Sequence, residues 1–197
     1  MKVGVALLYG LYNSDNAGYQ GYLNFISQKI KTEKLDKIVL CGGFTDPNRP
    51  EESESSTAEK YLRKVTEDFE GYVLENSSIT TNQNLEFASK KLAPEDEVVV
   101  FCDLIRLAKV IWISQYFLLK ESQENIYKSI VEFTQKKDLT KPFLKKNLTV
   151  MAYDFPNRTK EVTIQQSFAA LIDVFALYNE NFNEMNIKQR KMDFGLS

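Results

Sequence analysis

Short apolar runs alternate with helix-period segments along the first 119 residues, and this rhythm leaves the chain few folds to choose from. Val3–Tyr9, Ile38–Cys41, Tyr72–Leu74 and Val98–Phe101 are long enough for strands and too short for helices. Between them, Tyr22, Phe25, Ile26 and Ile30 recur at helical spacing, as do Ala58, Tyr61, Leu62 and Val65. Leu85–Leu92 gives a third helix, ended by Pro94, and Leu104–Leu119 follows the fourth strand. Val98–Phe101 is apolar at every position, as a parallel strand covered on both faces requires. Leu148–Tyr153 reads as a fifth strand and Thr163–Tyr178 as a long closing helix. Repeated βα units imply an α/β fold of three layers, αβα, with a mainly parallel sheet of about five or more strands.

Two segments depart from the rhythm. Residues 120–147 insert a helical stretch near Asn125–Gln135 and end in Lys136, Lys137, Lys141, Lys145 and Lys146. A solvated helix face and loop, a lid and a subunit contact are the readings open for this insertion. Residues 1–182 are expected to form one α/β domain, and Asn183–Ser197 a polar, partly disordered tail carrying Lys188, Arg190 and Lys191.

Composition excludes several classes. A net charge of −2 is a poor match to nucleic acid, which normally meets a basic face. The charge-free run Val110–Leu119 contains Gln115 and is about half of the ~20 residues of a membrane span. Met1-Lys2 leads directly into a strand-like run, so the expectation is a cytoplasmic protein with no membrane partner. The chain has no histidine, which rules out Ser-His-Asp and Cys-His catalysis and any histidine-ligated metal. Cys41 and Cys102 are too few for a disulfide framework or a cysteine-based zinc site. They read as small buried thiols, or as a redox pair if their strands are neighbours.

The polarity worth explaining lies between Lys37 and Lys109. Three strand ends there carry groups that a core does not need, and in a parallel sheet such ends converge on one rim where ligands bind. Gly42-Gly43 follows the second strand, permits unusual backbone geometry and lets a ligand approach main-chain N–H donors. No G-x-G-x-x-G or G-x-x-x-x-G-K-[ST] string accompanies it. Glu75-x-x-Ser78-x-x-Thr81-x-x-Asn84 follows the third strand. Capping boxes by spacing, Thr80 with Gln83 and Ser56 with Glu59, explain part of this polarity but not Glu75 and Asn84.

Asp103 after the fourth strand is a good helix N-cap. Arg106 and Lys109 then place two cations in the first turns, each costing ~0.3–1 kcal/mol against the helix dipole at an exposed site. Either Arg106 pairs with Asp103 or a neighbouring acid, or an anion offsets the cost. Tyr9, Tyr12, Tyr19 and Tyr22 crowd the first strand end, as packing groups or as a face for a planar ring.

Taken together these residues resemble the SanA/ElyC/YdcF family, whose fold is Rossmann-like. The resemblance rests on Gly42-Gly43, Ser53-Glu54 with Tyr61-Leu62, and the Glu75, Ser78, Thr81, Asn84 string, and it covers Val3–Ile113. Family members usually follow the fourth strand with Thr-Ser, then a histidine and an arginine three residues apart. This chain has Cys102-Asp103, then Arg106 and Lys109, and lacks the family's arginine in the first helix.

The resemblance implies a small-molecule pocket, with a nucleotide or S-adenosylmethionine as the candidate ligand or cofactor. The expected ligand-binding set is Gly42, Gly43, Ser78, Thr81, Asn84, Arg106 and Lys109. Glu54, Glu75 and Asp103 are the candidates for general acid/base work, hydrolase or transferase, with no metal site assigned. The alternative is a non-catalytic sensor or interaction protein that keeps the fold. Oligomeric state stays open at this point.

Overall fold

The computed structural model of the chain describes residues 1–135, 138, 141–156 and 158–196. Its centre is a six-stranded sheet built from β1 (Lys2–Leu7), β2 (Lys37–Cys41), β3 (Tyr72–Glu75), β4 (Glu97–Asp103), β5 (Phe143–Lys145) and β6 (Leu148–Tyr153). The strand order is β3-β2-β1-β4-β6-β5, and every pairing is parallel except that of β5 with β6.

Helices cover both faces. Helices α1 (Ala17–Thr32) and α2 (Glu54–Val65) pack Tyr22, Leu23, Ile26 and Leu62 against Leu40, Val99 and Phe101. On the other face α3 (Thr81–Ser89), α4 (Leu107–Leu118) and α5 (Gln123–Gln135) bury Leu85, Val110, Ile111 and Phe133 against Val5, Val39 and Val100. The chain is thus an α/β protein with a three-layer, Rossmann-like architecture.

Strand order reverses between β1 and β4, the point at which such sheets open a crevice. The wholly buried Tyr22 hydroxyl lies across it, 2.9 Å from the Leu7 carbonyl and 3.0 Å from that of Phe101. A single phenol from α1 therefore pins the two diverging strands together.

Four expectations are corrected. Insertion 120–147 is not merely a solvated helix and loop: α5 buries Ile126 and Phe133, and β5 extends the sheet as an antiparallel edge. Lys145 and Lys146 pair with Glu121, while Lys136 and Lys137 lie outside the described residues. The polar C-terminal stretch folds as helix α7 (Glu180–Asp193), after α6 (Lys160–Ala176), with Asn179 capping its start by accepting the Phe182 N–H. Ser53 rather than Ser56 caps α2, because Ser53 is the last extended residue and its hydroxyl accepts the Ser56 N–H. Cys41 and Cys102 cannot pair, since β1 runs between their strands; burial pushes both thiols up, away from reactivity.

Candidate functional site

A cavity of about 470 Å³ opens at the carboxyl ends of β1, β2 and β3, within the range of small-molecule sites. Its floor is the β1 loop and the entries to α2 and α3; its roof is α6, α7 and Phe194. Glu54, Ser78, Thr81, Asn84, Arg106 and Lys109 line it, as expected from the sequence. Gly42, Gly43, Glu75 and Asp103 do not.

Gly42 and Gly43 were expected to offer N–H donors, and both donors are spent. Gly42 N–H bonds the Glu75 carbonyl at 2.9 Å and Gly43 N–H the Ser78 carbonyl at 2.9 Å. Their carbonyls accept from Ser55 and Glu54, so the pair forms a backbone clamp under the α2 entry. Glycine is needed at position 43 because a Cβ there would collide with the Ser78 carbonyl.

Glu75 is turned inward, 3% exposed. Its Oε1 accepts the N–H groups of Ser77 and Ser78 at 2.8 and 3.1 Å, and its Oε2 accepts the Ser78 hydroxyl. The same hydroxyl contacts the Asn84 side-chain amide. A hydroxyl has one proton, so with Glu75 receiving it the network closes when the Asn84 amide donates to Ser78. The Glu-x-x-Ser string thus builds the loop that presents Ser78 and Asn84. It does not deliver a second carboxylate to the cavity.

Asp103 is likewise consumed. Its carboxylate caps the 3₁₀ turn Leu104–Arg106 by accepting the Ile105 N–H, and pairs with Arg158 at 2.5 Å. This settles one of the alternatives for Arg106, which does not pair with Asp103. Its guanidinium instead lies 4.4 Å from the centroid of the Tyr9 ring, and its Nε donates to Gln166 Oε1 at 2.9 Å. Tyr9 therefore presents its face to an arginine, while Tyr12, Tyr19 and Tyr22 stack into the aromatic cluster with Tyr61, Tyr153 and Phe155.

Lys109 reaches the cavity wall already neutralised. Its Nζ lies 2.6 Å from Asp173 Oδ2, both ends buried. Burial pulls its ammonium below the ordinary lysine range, with Asp173 opposing and the charges of Arg106 and Arg190 adding to the fall. Arg190, from α7, is the cationic residue of this wall that sequence reading left in a tail. Among the described residues, neither Arg106 nor Arg190 has a carboxylate within 4.0 Å. Two guanidiniums with no carboxylate in ion-pair contact thus face the cavity that Glu54, Asp46 and Asp173 also line.

The opposite wall carries Glu54. Its Oε1 accepts the Gly10 N–H at 2.9 Å and the Thr45 hydroxyl at 2.6 Å. Gly10 can turn its N–H this way because it adopts φ 87°, a left-handed geometry that suits glycine. Burial raises the Glu54 carboxyl above its ordinary range, against these two hydrogen bonds and Arg106. A carboxyl held toward its neutral form is chemically able to donate a proton.

Among the described residues no group of three or more Cys, Asp or Glu is placed to hold a metal ion, and no helix is long and apolar enough to cross a membrane. Sequence reading missed Gly10, Thr45, Gln166, Asp173, Arg190 and Phe194; the run from Val162 to Ile172, which carries no charge before Asp173, was the available hint that α6 covers something. No protein-family model matches the chain, and no curated protein matches it either.

Proposed function

We propose that this protein binds a small anionic ligand, nucleotide-like or S-adenosylmethionine-like, in the cavity at the strand ends. The observation that carries this reading is the pair of guanidiniums, Arg106 and Arg190, lining one cavity with no carboxylate of the described residues within 4.0 Å of either. Unpaired arginines in a concave site favour phosphate or carboxylate, because their planar forks match both groups. The start of α3 adds Thr80 and Thr81 to the wall, where N–H groups and hydroxyls favour negative charge. The likeness to the SanA/ElyC/YdcF family, as a divergent member, supports the same location.

If the protein turns its ligand over, Glu54 is the group that supplies the proton, in hydrolysis or group transfer. A purely binding role is the second reading. It draws support from the fate of the three candidate carboxylates, since Glu75 and Asp103 are committed to protein partners.

A thermal-shift screen across nucleotides, S-adenosylmethionine and sugar phosphates tests the reading. A ligand at 100 times its dissociation constant stabilises by about 2.7 kcal/mol. That shift should fall to about half or less in Arg106→Ala. Silence of the wild-type protein toward every anionic compound, or an undiminished shift in the variant, would count against the site. Turnover that disappears in Glu54→Gln while binding persists would decide for the enzyme.

A further inference from the structure

The outward side of α6 is built like the inside of a helix pair. Ile164, Phe168, Leu171 and Phe175 follow one another at spacings of 4, 3 and 4 residues, and Tyr178 continues the stripe three residues on. This is the a/d spacing of a coiled-coil seam. The four helical members are 57%, 64%, 69% and 55% exposed. The opposite side of the same helix sends Gln166, Ala169 and Asp173 to the cavity, and the stripe's own ring partners lie only at its C-terminal end, Phe175 on Phe182 and Tyr178 on Tyr116. Nor does α6 carry a charge from Val162 to Ile172, and Asp173 is buried. A solvent-facing helix ordinarily carries charged and polar residues there. An apolar groove lined by Trp112, Leu171, Phe175 and Phe182 runs along one flank.

We infer that this stripe is the interface with a second copy of the chain, α6 against α6 in antiparallel sense. Two arguments favour a second copy over other occupants. The seam period is that of a helix pairing with a helix, and an isologous pair needs only one such stripe. An open aromatic side chain offers ~150–250 Å². The exposed fractions of Phe168, Phe175 and Tyr178, with the neighbouring aliphatics, then sum to roughly 600–700 Å² per copy. A symmetric pair buries about 1,200–1,400 Å² in all, within the range of specific interfaces. An antiparallel pairing seats Ile164 against Phe175 and Phe168 against Leu171 of the second copy, so the stripe serves both partners. Because α6 also roofs the cavity, the interface and the ligand site share one helix.

Sedimentation equilibrium of the full chain from about 1 to 100 µM tests this, since a specific interface of this size should associate within that range. The expected result is a dimer, with Leu171→Asp raising the dissociation constant at least about thirtyfold, as loss of a central anchor does. Tyr127→Asp, an exposed site on α5, should leave it unchanged. If Leu171→Asp proves misfolded by circular dichroism, the milder Phe168→Ala still decides and should weaken association about tenfold. A wild-type monomer throughout the range overturns the inference, as does a folded Phe168→Ala that associates as tightly as the wild type. So does a monomer that floats with phosphatidylcholine–phosphatidylglycerol vesicles, which would assign the stripe to a lipid surface.

Discussion

Lys109 Nζ and Asp173 Oδ2 lie 2.6 Å apart with both side chains buried, and this one ion pair ties α4 to the helix that roofs the cavity. Asn82 reinforces it by donating to the Asp173 carbonyl at 2.8 Å. Removing one partner leaves a buried charge uncompensated. Asp173→Ala should therefore cost about 3–5 kcal/mol, whereas the double change Lys109→Met with Asp173→Leu should be near neutral. Urea unfolding of the three chains compares the values, and a double variant as unstable as the single one would show that the cost is packing rather than charge.

The arginine wall gives a second expectation. A charge-assisted hydrogen bond is worth about 1.5–3 kcal/mol. Arg106→Gln and Arg190→Gln should each weaken a phosphate-bearing ligand by roughly 10- to 150-fold, and added salt should weaken the wild type more than either variant. Calorimetric titration at two salt concentrations reads both effects. Binding indifferent to Arg190 would move the anion away from the α7 side of the cavity.

Stability should also vary with pH through Glu54. Burial raises its carboxyl in the folded protein, so the folded state holds this proton more tightly than the unfolded chain. The contribution is fully present below the unfolded value and is lost as pH rises through the folded one. Glu54→Gln keeps an oxygen for Gly10 and Thr45 but never ionises. Its melting temperature should exceed that of the wild type near pH 8, with the gap closing toward pH 4. Parallel melting curves with no such convergence would remove Glu54 as the raised carboxyl.

Glu75 predicts a different outcome from the catalytic role its position suggests. Its carboxylate accepts three hydrogen bonds from the Ser77–Ser78 turn. Glu75→Gln should strand the Ser78 hydroxyl and destabilise by about 1–3 kcal/mol. Hydrogen exchange at the Ser77 and Ser78 amides should quicken before any change elsewhere in the sheet. A stable variant with lost turnover would restore Glu75 to the chemistry.

Gly43→Ala offers a check on the clamp beneath the site. The added methyl meets the Ser78 backbone, which cannot rotate aside as a side chain can. A cost of about 1–3 kcal/mol is expected from overpacking. At Gly42 the collision is with Glu54, its Cβ as well as its carboxylate, so Gly42→Ala should cost about as much and also move that carboxyl. Melting curves and the pH response of the two variants separate the cases.

Much of the sheet could be read from the sequence, because β1, β2 and β4 are buried nearly throughout and leave an uninterrupted apolar signature. Strand β5 could not: it has three residues, of which Leu144 is exposed, and no period develops over that length. Helix α7 escaped for the opposite reason. It is polar around its circumference and buries no residue fully, so no apolar face betrays it. Among the carboxylates, Glu54 and Glu75 both follow strand-end signals. Which one meets the cavity depends on how the loops after β2 and β3 fold back, and residue type carries no record of that. Arg106 was visible as an electrostatic oddity; its lack of an acid partner became visible only once Asp103 was found with Arg158.

The roof over the cavity has a practical and a temporal consequence. Arg190 and Phe194 enter the site from the last turns of α7 and the residue after it, long after the strands that form its floor. During synthesis the sheet can pair while the cavity is still half-built, and its roof closes only once this segment has cleared the ribosome. A fragment ending before Glu180 would keep every strand and lose one of its two unmatched cations. A tag joined after Leu196 would begin two residues from Phe194 and beside Pro47, both in the cavity wall, and would crowd it.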